Sequence, residues 1–136
     1  MRALSIRQPY AELILRGVKT VEYRSRATKI IGERFYIYAA MGGSRRAKAG
    51  PGTPGRVWSA DVDVPRPADM PPGWMLELAQ MLMLGELPVC VIVGSATIAN
   101  CRAVDDHYEW DLTDVRREST LRKPERHPQP SWFRPF

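Results

Sequence analysis

Residues 5–26, SIRQPYAELILRGVKTVEYRSR, read as strand, turn, helix, glycine, strand. Pro9 suits the first turn of a helix, where a missing N–H is not needed. Ala11, Ile14, Leu15 and Val18 then recur at spacings of three and four, which marks one buried face of a helix over residues 9–16. Gly17 fits the position just past the helix end, where left-handed backbone is low in energy only for glycine. In the strand that follows, Val21 and Tyr23 alternate with Thr20, Glu22 and Arg24. Alternation sends Val21 and Tyr23 to the core and puts Thr20, Glu22 and Arg24 together on the opposite face. Lys19 lies in the turn just before, with a stem long enough to reach back over that face. Arg7 and Gln8 stand at the helix start, Arg7 as a candidate anion clamp. An ammonium, a carboxylate and guanidinium groups converging on one cleft can bind a phosphate or a base edge. The same charges on an edge strand also serve as a solvated face that blocks edge-to-edge pairing. Spacing alone favours the solvated face.

Outward from this stretch, residues 2–6 (RALSI) read as a first strand. Residues 34–40 (RFYIYAA) read as another, with Phe35, Ile37 and Ala39 on one face and Tyr36 and Tyr38 on the other. Residues 41–56, MGGSRRAKAGPGTPGR, carry five glycines, two prolines and four basic residues, the composition of a basic loop. Residues 74–84 (WMLELAQMLML) are almost wholly apolar and lack β-branched residues, so a buried helix ended by Gly85 is expected. Residues 88–104 give the strongest strand signal, with Gly94 inside it as the mark of a bulge or bend. HYEWDL, residues 107–112, reads as a further strand. The proline-rich tail is expected to wrap the surface and close with a short strand at Trp132 and Phe133. The sum is an α+β domain spanning residues 1–136. It has about five or six strands in a small, strongly curved sheet or barrel, with two or more helices at the rim.

Charge is distributed in blocks. Residues 1–56 hold 12 Lys/Arg against 3 acidic residues, residues 57–115 hold 2 against 10, and residues 116–136 hold 6 against 2; the net charge is +5. A basic N-terminal part beside a basic tail suits a polyanion, and equally suits a soluble protein whose faces neutralise each other. The N-terminus has no signal-peptide core, because Arg7 and Gln8 interrupt it, and no apolar run approaches membrane-spanning length. Cys90 and Cys101 form no CxxC pair and have no nearby histidine, which argues against structural zinc and for free thiols in a reducing cytoplasm. His107 and His127, each without a second ligand nearby, read as surface residues. Ser95 lacks the flanking glycines of a nucleophile elbow, and the glycine-rich loop lacks the Gly-Lys-Ser/Thr of a phosphate-binding loop. That loop can still grip a nucleic-acid backbone with Arg45, Arg46 and Lys48. Trp110 and Trp132 are placed in the core rather than as stacking platforms.

Gly17, Lys19, Glu22 and Arg24 stand in the spacing Gly-x-Lys-x-x-Glu-x-Arg, the hallmark of the ASCH domain within the PUA-like superfamily. SIRQPYA resembles the usual opening of that family, with Tyr10 where tryptophan is common. RFYIYAA, the 88–104 strand and the closing YEWDLTDVRR and KPERHPQPSWF are similar to its later segments. The resemblance implies a small PUA-like β-barrel whose cleft is lined by the hallmark residues, and ligands related to RNA or nucleotides. On this chain Arg7, Gln8, Tyr10, Lys19, Glu22 and Arg24 would line that cleft. It further implies two enzymatic alternatives, hydrolysis of N4-acetylcytidine or cleavage of single-stranded RNA. Lys19 would then be nucleophile or base, and Glu22 or Thr20 its polar partner. The small amidohydrolases of the family carry threonine where this chain has Glu22 and use a second carboxylate, for which Asp105 and Asp106 are the candidates. No metal or cofactor is implied. A third role, docking to another protein through the 74–84 helix, follows from the apolar composition of that segment.

Overall fold

The computed structural model describes residues 1–40 and 87–136, with the strands at 48–49 and 56–58 between them. Its elements are β1 (Ala3–Arg7), α1 (Tyr10–Leu15), β2 (Val21–Arg24), β3 (Arg34–Ala40), β4 (Lys48–Ala49), β5 (Arg56–Trp58), β6 (Leu87–Val89), β7 (Val91–Val104), β8 (His107–Arg122) and β9 (Trp132–Phe133). Six strands form a mixed sheet in the order β2-β8-β7-β3-β1-β9, and β4-β5-β6 form a second sheet of three.

The expected barrel with two or more helices at its rim does not form. The large sheet is open, with β2 and β9 at its edges, and α1 is the one helix among the described residues. The edges explain this. Closure needs border strands long enough to pair across the gap at a fixed stagger. Here β2 has four residues, all paired to β8, and β9 has two, paired to β1. The expected helix at 74–84 and the basic loop with Arg45 and Arg46 lie outside the described residues. Lys48 falls in the short strand β4.

β3 shows why the sheet is stable on both faces. Phe35, Ile37 and Ala39 join Leu4, Ile14, Val93 and Ile98 in one apolar cluster. Tyr38, from the opposite face, packs with Ala3, Ile92 and Phe133 in another. Burying a side chain the size of Phe35 or Ile37 contributes roughly 1.5–3 kcal/mol. Trp110 is buried in the core and Trp132, half-buried, packs against it, the two rings stacked at 5.8 Å with an interplanar angle of 10°. β8 runs far beyond the HYEWDL segment. Its second half, residues 113–122, is largely polar or charged, and backbone pairing to β7 rather than an apolar pattern keeps it extended. The chain breaks between β6 and β7 at Cys90, whose φ is 65°. Gly94 sits at register shifts toward both neighbouring strands, the irregularity its position in the sequence implied.

Candidate functional site

The end of α1 determines where Lys19 goes. Gly17 has φ +77°, and its N–H bonds the carbonyl of Ile14 at 3.0 Å. Val18 N–H reaches back to the Leu13 carbonyl at 3.0 Å, which completes a Schellman cap. Lys19 N–H bonds that same carbonyl at 3.1 Å, so its backbone is tied to the helix it follows. Only a residue at ease with positive φ allows this reversal, which gives the glycine of the hallmark a mechanical reason. The Lys19 side chain is 6% exposed. Its Nζ lies 3.9 Å from Glu22 Oε1 and 4.6 Å from the centre of the Tyr23 ring.

Glu22 and Arg24 follow on β2. Glu22 pairs in register with Trp110 of β8, a core residue, so this charged face points inward. The sequence pattern identified the two faces of β2 correctly but assigned the inward one to Val21 and Tyr23, which are only half-buried. Burial of the charged face is tolerable because the charges satisfy one another. Arg24 donates to Glu22 Oε2 from Nε at 3.1 Å and from Nη2 at 2.6 Å, and Nη2 also donates to the Ser5 carbonyl at 2.9 Å. Its guanidinium lies 5.7 Å from the centre of the Trp110 ring.

These groups border a cavity of about 710 Å³. β1 contributes Ser5, Ile6 and Arg7, and α1 contributes Tyr10. Lys19, Glu22, Tyr23, Arg24 and Ser25 follow from the turn and β2; Tyr38 and Ala40 come from β3, and Pro128, Gln129 and Pro130 from the tail. Parallel pairing of Ser5 with Tyr38 and of Arg7 with Ala40 sets those four on one face at the sheet end. Three cations face one carboxylate in this lining, which favours an anionic ligand, and three tyrosines offer ring surface. Burial, and the Cys90 thiol bonded beside it, push the Tyr38 hydroxyl well above the ordinary tyrosine range, so it remains a neutral donor.

Of the residues proposed from the sequence, Arg7, Tyr10, Lys19, Glu22 and Arg24 border the cavity together. Gln8 does not. It is 2% exposed, its amide donates to the Pro88 carbonyl at 2.9 Å, and its oxygen accepts Glu12 N–H at 3.0 Å, so it braces α1 against the start of β6–β7. Thr20 is exposed, and its carbonyl accepts Leu112 N–H at 2.9 Å. Asp105 and Asp106 form the β7–β8 turn and are not in the lining. Three wall residues had no sequence signal. Ser5 and Tyr38 alternate among core positions, and Gln129 sits in a proline-rich tail whose contact with residue 5 spans 124 positions. No group of three or more His, Cys, Asp or Glu side chains able to hold a metal occurs among the described residues.

A cap that positions a lysine, followed by a glutamate and an arginine on the next strand, is the geometry behind the hallmark spacing. Residues 4–129 match the family model of the ASCH domain, and the chain belongs to that family. Membership points to RNA-binding or hydrolase-like work in general terms. No curated protein matches the chain closely enough to name a relative. No helix among the described residues is long and apolar enough to cross a membrane.

Proposed function

We propose that the cavity binds a nucleotide unit, free and modified or within single-stranded RNA. The observation that carries this reading is Lys19, nearly buried yet in the wall of an open cavity, held between the Glu22 carboxylate and the Tyr23 ring. A lysine kept only for solubility would not be desolvated and fixed in this way. The volume lies within the range of small-ligand sites. Arg7 and Arg24 supply further positive charge for a phosphate, and Tyr10 and Tyr23 supply faces for a base.

The test is calorimetric titration with a short single-stranded RNA and with N4-acetylcytidine, for wild type and Lys19→Ala. Binding by wild type, weakened about tenfold or more in a variant that still unfolds cooperatively, supports the reading. Equal binding by both proteins removes Lys19 from the site. RNA affinity should also fall as salt is raised, since phosphate contacts release counterions.

A hydrolytic alternative is supported by the amine–carboxylate pair of Lys19 and Glu22 beside the cavity. Against the amidase form, Thr20 is exposed and neither Asp105 nor Asp106 reaches the lining, so the described residues bring it no second carboxylate. Chromatography after incubation with N4-acetylcytidine, and gels of labelled single-stranded RNA, decide it. Cytidine or cleaved RNA from wild type but not from Lys19→Ala would establish turnover.

A further inference from the structure

One wall of the cavity comes from the far end of the chain, and it is fixed more firmly than a tail need be. Ser5 Oγ donates to the Gln129 carbonyl, and Ser5 N–H donates to the Ser131 carbonyl at 3.1 Å. β9 follows at once and pairs with β1. The chain then ends with Phe136 edge-on to Tyr36 at 5.8 Å, and the Arg122 guanidinium lies over both rings, at 5.0 Å from Tyr36 and 4.7 Å from Phe136. Proline on either side stiffens residue 129 further, since Pro128 has a fixed φ and Pro130 restricts its predecessor to extended backbone.

The Gln129 side chain behaves differently from its backbone. It is exposed at the cavity wall, and among the described residues no group hydrogen-bonds its amide. A carboxamide presents an acceptor and a donor side by side. The edges of nucleobases present the complementary pair, which is why glutamine can grip a base through two bonds at once. Elsewhere in the wall, Arg7, Lys19 and Arg24 are charged, and the tyrosines offer chiefly faces. Gln129 is the neutral two-point contact, on a backbone that has already lost its freedom before a ligand arrives, so only the rotamers of its side chain are left to be ordered by the grip.

We propose that Gln129 is the specificity residue of the cavity and reads the edge of the base. The proposal rests on the nucleotide-binding reading above. It divides recognition between two ends of the sequence: the hallmark segment takes the charged part of the ligand, and the tail takes the base.

The test is titration of the full chain with the four ribonucleoside 5′-monophosphates and with ribose 5-phosphate, for wild type, Gln129→Ala, Gln129→Glu and Lys19→Ala. Gln129→Ala should weaken the monophosphates about tenfold and leave ribose 5-phosphate unchanged. Its melting temperature should stay at the wild-type value, because the carbonyl that bonds Ser5 is retained. Gln129→Glu can only accept, so guanosine monophosphate, whose N1–H and N2 amino donors stand side by side, should lose least relative to the other three. Equal affinity of wild type and Gln129→Ala for every monophosphate overturns the proposal, as does a wild type that binds ribose 5-phosphate as tightly as the monophosphates. In either case, weakening of all these ligands by Lys19→Ala leaves the binding reading intact, whereas no effect of Lys19→Ala removes that reading as well.

Discussion

Glu22 accepts two hydrogen bonds from Arg24 through a single oxygen, Oε2, at 3.1 and 2.6 Å. That leaves Oε1 turned toward Lys19 Nζ, 3.9 Å away. One carboxylate thus orients two cations, the tighter bond going to the guanidinium, whose fork fits it. Glu22→Gln keeps the shape and removes the charge. The partly buried fork of Arg24 would then lose the charged acceptor of both its bonds, and urea unfolding should show a loss of about 2–3 kcal/mol. Ligand affinity should fall along with it. A variant as stable as wild type would mean the pair is solvated in solution.

A second carboxylate lies deeper in the scaffold. Glu12, on α1, accepts Arg16 Nε at 2.7 Å and both Nη1 and Nη2 of Arg117 at 2.8 Å. Burial works to raise its pKa, but the guanidinium of Arg117 and then that of Arg16 outweigh it, and the net shift is below the ordinary 4.5. A depressed folded-state pKa means the stabilisation is present above about pH 4.5 and is lost as pH falls through the folded value. Glu12→Gln should therefore lose about 3 kcal/mol at pH 7 and less in acid. Urea midpoints measured at pH 7 and in mild acid check this; parallel curves for the two proteins would refute it.

The sequence carried the local structure of residues 5–26 well because its signals are local. Three- and four-residue spacing, a glycine in the left-handed region and alternation after it involve neighbours only. Which face of β2 turns inward was not local, since it depends on Trp110 across the sheet and on Arg24 closing over Glu22. Sheet closure failed as an expectation for a similar reason. The strands of the large sheet were legible, but β4, β5 and a separate β6 were not expected, and the lengths of the edge strands β2 and β9 depend on what they find to pair with. The polar and charged half of β8 was missed because it has no apolar alternation. Gln8 shows the reverse error: a polar residue beside a charged cleft looked like a ligand contact, yet both ends of its amide are used by the backbone.

His107, at the start of β8, bonds Asp106 Oδ1 at 3.4 Å and Glu109 Oε2 at 3.3 Å, and its ring meets that of Tyr23 at 5.7 Å. The Asp106 carboxylate first, then that of Glu109, raise its pKa above the ordinary 6.5. Glu109 is shared with Arg102, which also pairs with Asp111. A raised folded-state pKa means the favourable pairing is complete below about pH 6.5 and disappears as pH rises through the folded value. Proton NMR titration should give His107 a midpoint above 6.5. Asp106→Asn should lower it more than Glu109→Gln does. A His107 midpoint at or below 6.5 would show that these contacts do not persist in solution.

At Gly94, β7 lies close to both β8 and the end of α1. A Cβ at this position would lie 2.5 Å from the Arg116 carbonyl oxygen and 2.5 Å from Leu15 Cδ2. The second obstacle is a side-chain end that can rotate, but the first is backbone inside a paired strand. Gly94→Ala should therefore destabilise the protein by about 2 kcal/mol or more in urea unfolding. Leu15 is the last residue of α1, directly before the cap that places Lys19, so displacing it should also weaken ligand binding. Adding Leu15→Ala separates the two obstacles. In the double variant the step from Gly94 to alanine should cost less than in wild type, because the side-chain clash is gone, yet remain unfavourable, because the Arg116 carbonyl stays. If that step becomes neutral in the double variant, the helix alone enforces glycine and the close approach of β8 does not.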